Sequence, residues 1–274
     1  MQVKDSLGVL VIGRMGNQLF QYAFAFAQSR KMRCPFVLVN ENKKHKLYID
    51  KYFKLPLFNS FKNKIYQLFW RKRNKLKNYA RILNDLDPDD QLRQVEKGKL
   101  YHGFYQANNY FKEYEEQIVR EFEVKKIWIN KFKNKNSVLF TEKPLLTIHV
   151  RGGDYLENID IVLGTEYYKN CLSKIKNLDN HIIVVVTDDK SHAEKVLPTC
   201  CNYHYSNGSE IEDFLFMVFA NKVIISNSSF AWWAAYLNKV EGKEVYAPKY
   251  WFGIKEKRES PRGIMYHQFI PVTG

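Results

Sequence analysis

The chain has 274 residues, enough for one large α/β domain or two domains of roughly 130 residues each. With 45% hydrophobic and 15% aromatic residues it has the material for a substantial core, and no apolar run reaches the ~20 residues of a membrane-spanning helix. Forty-three basic against 29 acidic residues leave a formal net charge of +14, which favours an anionic partner without choosing among nucleic acid, nucleotide, phospholipid surface and phosphorylated substrate.

In chain order, Val9–Ile12 reads as a first strand, Gly13–Gln18 as a Gly-containing turn and Leu19–Lys31 as an apolar helix. Strand, turn and helix in this order open a βαβ fold, although Gly13-x-x-Gly16 lacks the third glycine of a dinucleotide fingerprint. Pro35–Val39 is the next strand. Lys62–Arg81 carries eight basic residues and no acidic one, with Ile65, Leu68, Phe69, Leu76, Tyr79 and Leu83 at roughly helical spacing. It is expected to form a basic amphipathic helix or helix pair, either a solvated face or a dock for an anionic membrane or a pyrophosphate-bearing acceptor. Leu100–Gln106 alternates and ends in a turn, and Phe111–Glu123 reads as a Glu-rich helix. Lys125–Lys143 is polar and basic, which places the domain boundary before Pro144 and gives domains of 1–143 and 144–274.

The second half alternates more cleanly. Leu145–Ile148, His181–Thr187, Val223–Ile225 and Val245–Ala247 read as strands, with helices expected over Tyr167–Ile175, Ser191–Leu197, Glu210–Phe219 and Ala231–Leu237. Three of those strands end in polar residues suited to a ligand: His149-Val-Arg-Gly-Gly-Asp-Tyr155, Asp188-Asp189 and Ser226-Asn-Ser-Ser-Phe230. In a parallel sheet such ends share one edge and line one crevice. Arg151 offers a planar fork of donors to phosphate, and Gly152 and Gly153 permit close backbone approach. The Ser226–Ser229 run before a helix is either a phosphate seat or a helix cap. Asp188 either accepts from a ribose or guanine edge or caps the next helix. The four cysteines, Cys34, Cys171, Cys200 and Cys201, show no C-x-x-C spacing, and the N-terminus lacks a signal-peptide pattern. A reduced cytoplasmic protein is expected.

His149–Tyr155 resembles the H-x-R-R-x-D signature of the α-1,2-, α-1,6- and protein O-fucosyltransferases. Ile225-Ser-Asn-Ser-Ser-Phe-Ala-Trp-Trp-Ala-Ala-Tyr-Leu-Asn238 is similar to the second signature of the α-1,2-fucosyltransferases, glycosyltransferase family 11. Gly13–Ala23, Gly103–Gln106 with Tyr110-Phe111, and Ala247-Pro-Lys-Tyr-Trp251 resemble that family's N-terminal, central and C-terminal motifs, in order along nearly the whole chain. The resemblance implies a GT-B-like α/β enzyme of two Rossmann-like domains facing a central cleft. It implies inverting transfer of L-fucose from GDP-β-L-fucose to O2 of a terminal β-galactoside, without a metal or other cofactor.

By the same resemblance, the C-terminal domain holds the donor and the N-terminal domain lies on the acceptor side. Arg151 grips the pyrophosphate, His149 and Asp188 line the guanine–ribose end, and Ser228, Ser229 and Phe230 complete the phosphate seat. The loop of Arg14, Gly16, Asn17 and Gln18 closes over the phosphates. Asp154 is either the general base or the anchor of the turn and of Arg151. The chain departs from the pattern at Gly152, where the family usually carries a second Arg. The acceptor is expected in bacterial O-antigen or capsule synthesis. A lipid-linked acceptor would bring peripheral contact with the inner membrane face through Lys62–Arg81. Two other readings stand beside the enzyme: a non-catalytic nucleotide-sugar or glycan-binding protein, and a nucleic-acid-binding module. The latter lacks any RRM, KH or helix-turn-helix signature, so no nucleic-acid partner is expected.

Overall fold

The computed structural model describes residues 6–39, 46–59, 61, 64, 65, 68, 79–81, 87–139 and 143–274. The chain divides into two compact units, one of residues 1–125 with 261–264, the other of residues 126–260 with 265–274.

The first unit contains, in order, β1 (Leu7–Leu10), α1 (Met15–Lys31), β2 (Phe36–Val39), β3 (Tyr79–Arg81), α2 (Pro88–Leu92), β4 (Leu100–His102) and α3 (Glu115–Glu121). Its four strands pair in parallel in the order β2-β1-β4-β3, with Leu7 opposite Phe36 and Gly8 opposite Leu100. α1 is buried on nearly every face, with Gln18, Gln21, Gln28 and Ser29 enclosed among its apolar side chains. Its rings organise that core. Phe24 stacks on Tyr105 with centroids 4.0 Å apart, and Tyr22 meets Phe36 edge-on at 5.3 Å.

The second unit contains α4 (Lys126–Lys135), β5 (Leu145–Val150), α5 (Thr165–Ser173), β6 (Ile182–Thr187), α6 (Lys190–Val196) and β7 (Tyr203–Tyr205). These are followed by α7 (Glu210–Val218), β8 (Lys222–Ile224), α8 (Ser229–Leu237), β9 (Glu244–Pro248) and β10 (Ile270–Val272). All six strands are parallel, in the order β7-β6-β5-β8-β9-β10. Counted from β5, this is the doubly wound order 3-2-1-4-5-6, whose direction reverses between β5 and β8. Every residue of β5 is buried, as expected of a strand covered on both faces. The one hydroxyl there, on Thr147, donates to the Phe216 carbonyl at 3.0 Å.

Several expectations change. α1 begins at Met15, so Gly16, Asn17 and Gln18 belong to its first turns and not to a preceding loop. Most of Lys62–Arg81 lies outside the described residues; of those described, Lys64, Ile65 and Leu68 are helical as expected, whereas the last three form β3, paired with β4. The polar stretch read as a linker contains α4, whose Phe132 is fully buried and packs on Phe216 and Phe219 at 4.8 and 6.0 Å. That single buried ring ties the segment to the second unit, so the division falls after Lys125 and not after Lys143.

Candidate functional site

The crevice at the reversal of the second sheet is built from the carboxyl ends of β5, β6 and β8, where open α/β sheets take their ligands. His149, one residue before the end of β5, is buried, and its Nδ1 lies 2.7 Å from the Oγ of Ser226, just past β8, which ties the two strand ends together. Burial, helped by the Arg151 charge, pushes the imidazole down to about 3, so His149 is neutral at any working pH. Phe230, half-buried, lies 5.9 Å from the imidazole and 5.5 Å from Phe214, centroid to centroid.

Arg151 follows two residues later and is held from three sides. Its Nη1 pairs with Asp188 at 2.5 Å, its Nη2 pairs with Asp154, and its guanidinium lies 4.9 Å from the centre of the Tyr155 ring. Nε is buried without a hydrogen-bond partner. The two carboxylates differ in setting. Asp154 is 63% exposed, whereas Asp188 is 32% exposed and also accepts the Gly152 N–H at 2.8 Å. Asp188 therefore fixes both the side chain and the loop that carries it. Its neighbour Asp189 is the helix cap, accepting the His192 N–H at 2.9 Å.

The glycines here have a steric reason. A Cβ at Gly152 would come 2.6 Å from the Asp189 Cβ, and Gly153, at φ +48°, would place one 2.8 Å from Asp188 Oδ2. The second Arg of the family pattern has no room at 152 unless the end of β6 moves.

On the far side, Ser228 caps α8 and Ser229 opens it, with Trp232 N–H closing on the Ser228 carbonyl at 2.9 Å. Asn227, just before them in the motif, points into the protein. Its amide donates to the carbonyls of Ile161 at 2.7 Å and Trp251 at 3.2 Å, and its own carbonyl accepts the Tyr155 hydroxyl at 3.2 Å. The motif thus places Ser226 on His149 and Ser228 and Ser229 at the start of α8, while Asn227 pins three loops. One carboxylate missed in the sequence joins this edge. Asp213, on the first turn of α7, accepts from Ser206 Oγ at 2.5 Å, and burial raises it to about 6 against the opposing pull of that hydrogen bond. Its only sequence signal was the Ser209–Glu212 capping box beside it, and Ser206 is placed by a strand, β7, too short to read.

The remaining expected residues lie in the first unit, at the amino end of α1. Arg14 is its exposed N-cap, and Asn17 Oδ1 accepts from Gln106 Nε2 at 2.9 Å. Gln18 is fully buried. Its amide donates to the carbonyls of Gly13 and Lys46 at 3.1 and 2.9 Å, and its oxygen accepts the Tyr48 N–H at 3.1 Å. Gln21, unremarked in the sequence, bonds both Ile12 and Gly103 and so joins the ends of β1 and β4. Among the described residues, no group of three His, Cys, Asp or Glu side chains is arranged to hold a metal ion, and no helix is long and apolar enough to cross a membrane.

The doubly wound unit, with an Arg, a neutral His and a Ser-rich helix start at its switch point, has the architecture of a GT-B-like α/β fold. The model of glycosyl transferase family 11 matches residues 2–253, and the chain belongs to that family. It is 26% identical to the O-antigen biosynthesis glycosyltransferase WbnK of Escherichia coli over 89% of this chain and 94% of that protein. It is also 26% identical to an Escherichia coli α-1,2-colitosyltransferase, over 89% of this chain and 91% of that protein. The fold is similar to that of the fucosyltransferase NodZ from Bradyrhizobium, at 12% identity and TM-score 0.57 over 85% of this chain and 92% of that one. It is likewise similar to Arabidopsis thaliana FUT1 in complex with GDP, at 12% identity and TM-score 0.54 over 97% of this chain and 76% of that one.

Proposed function

We propose that this glycosyltransferase moves L-fucose from GDP-β-L-fucose to O2 of a terminal β-galactoside, with inversion, in the synthesis of a bacterial surface glycan. The observation that carries the reading is Arg151, held by Asp188 at the carboxyl ends of β5 and β6, the sheet edge from which α8 also starts. Membership of family 11, the O-antigen role in WbnK's name and the GDP-bound forms of NodZ and FUT1 support it.

Fucosyl transfer builds positive charge on the sugar and negative charge on the departing GDP. In this reading the negative charge is met by Arg151 and by the positive end of the α8 peptide dipoles at Ser228 and Ser229, and no metal is required. Preorganised donors of this kind contribute on the order of 3 kcal/mol each, a hundredfold or more in rate. Each Nη of Arg151 already serves one carboxylate, so a diphosphate competes with the two aspartates for the guanidinium. Asp154 is the one to leave, because it is the more exposed and has no backbone N–H bond comparable to that of Asp188. Once released beside the reacting centre, Asp154 serves as the base that takes the acceptor's proton. His149, held neutral, and Phe230 line the nucleoside end. Asp213 supplies a carboxylate for the N–H groups of the base.

The α-1,2-colitosyltransferase, at the same identity as WbnK, favours a colitosyl donor as the second reading. The deciding assay is GDP release from GDP-fucose in EDTA, with and without a galactosyl-β-1,3-N-acetylhexosamine, run in parallel with the colitosyl nucleotide. Acceptor-dependent, EDTA-insensitive release from GDP-fucose is expected, and Arg151→Ala is expected to abolish it. Near-normal turnover in that variant would overturn the assignment.

A further inference from the structure

At the opposite, amino edge of the same sheet the chain carries a feature that fucosyl transfer does not use. Cys200 and Cys201 lie in the turn before β7, the first exposed and the second half-buried, whereas Cys34 and Cys171 are buried. Their Sγ atoms are 3.5 Å apart, far beyond the ~2.05 Å of a disulfide. They open on a pocket of about 380 Å³ that Lys143, Asp179, His181, Asn202 and His204 also line.

The separation matches a chelate. With bonds of about 2.3 Å from one central atom to each sulfur, the length of a zinc–thiolate bond, a span of 3.5 Å subtends roughly 100°. That angle suits a pyramidal trivalent centre. Among the described residues no third His, Cys, Asp or Glu completes a metal-binding set, so the ligand has to be satisfied by two sulfurs and bring its own third substituent. We propose that Cys200 and Cys201 form a vicinal dithiol site for monosubstituted trivalent arsenicals, with one arsenic bridging both sulfurs.

The chemistry balances without an oxidant. An arsine oxide R–As=O condenses with two thiols to R–As(S–)₂, two As–S bonds form, and the oxygen leaves as water with the two thiol protons. Arsenic stays trivalent throughout. Burial raises the Cys201 thiol above the ordinary cysteine value, which keeps it protonated, the form that this condensation consumes and thiolate-dependent oxidation does not.

The test is titration of the full chain, kept reduced with a phosphine, with phenylarsine oxide. It is read by intact mass and by counting free thiols. One arsenic per chain and the loss of two thiols are expected, reversed by 2,3-dimercaptopropanol and not by an equal concentration of a monothiol. Cys200→Ser and Cys201→Ser each remove one arm of the chelate and are expected to weaken binding by about a hundredfold or more, the loss of an intramolecular second bond. An unchanged melting transition in both variants shows that the fold is intact. An adduct that survives either substitution, or none in the parent chain, overturns the proposal.

Discussion

Replacing Asp154 by Asn removes the exposed member of the two carboxylates that grip Arg151 and keeps its size and shape. If Asp154 competes with the donor's diphosphate for the guanidinium, its neutralisation tightens GDP binding. The gain is bounded by the setting. The carboxylate is 63% exposed, so the pair is worth the surface value of about 0.2–1 kcal/mol, which is roughly a 1.4- to 5-fold fall in Kd. Calorimetric titration with GDP at low ionic strength measures it, and repetition near 1 M salt, where screening acts within about 3 Å, should erase most of the difference. Turnover is expected to move the other way. Loss of a general base lowers kcat by about a hundredfold or more at saturating donor. Tighter GDP binding with a lower kcat is therefore the signature of a carboxylate that is displaced and then used. Weaker GDP binding in the variant would refute the reasoning, because Asp154 would then be holding Arg151 in its binding geometry.

Three further outcomes follow from the same geometry. Gly152→Arg, which restores the family's second cation, drives a Cβ to within 2.6 Å of Asp189 and is expected to cost about 1–3 kcal/mol in urea denaturation; equal stability would show that the end of β6 yields freely. His149 is protonated in the unfolded chain below about 6.5 but in the folded one only near 3. Its contribution to stability is present above 6.5 and is lost as the pH falls, by about 1.4 kcal/mol for each unit down to about 3. His149→Gln should flatten the dependence of unfolding free energy on pH by one proton across that window, and an unchanged slope would contradict the burial of a neutral ring. Asn227→Ala leaves the carbonyls of Ile161 and Trp251 without their donor and is expected to destabilise by about 1–3 kcal/mol, seen as a lower urea midpoint.

The strands that build the crevice were legible because each is an apolar run cut off by polar residues: Ile148 by His149 and Arg151, Val186 by Asp188, Ile225 by Ser226. β7 and β10 were not, since three residues at the half-exposed edge of a sheet carry no periodicity of their own. The two aspartates after β6 looked equivalent in sequence. Only the fold separates them, by turning Asp189 onto the His192 N–H of α6 and Asp188 onto Arg151. Gln18, Gln21 and Asn227 fell into stretches read as turn, helix and phosphate seat, yet each spends its amide inside the protein. Such roles depend on which backbone groups arrive from distant parts of the chain, and local spacing cannot report that.

The return of residues 261–264 to the first unit orders events during synthesis. Gly263 rests against Pro88, Ala107 and Asn109, so that unit lacks a piece until every strand of the second sheet except β10 has been made. A fragment stopped at Lys125 would lack that piece, and grafting either half onto a relative would sever it. Exchange of complete units between family members therefore requires two cuts flanking Pro261–Ile264 in addition to the one after Lys125.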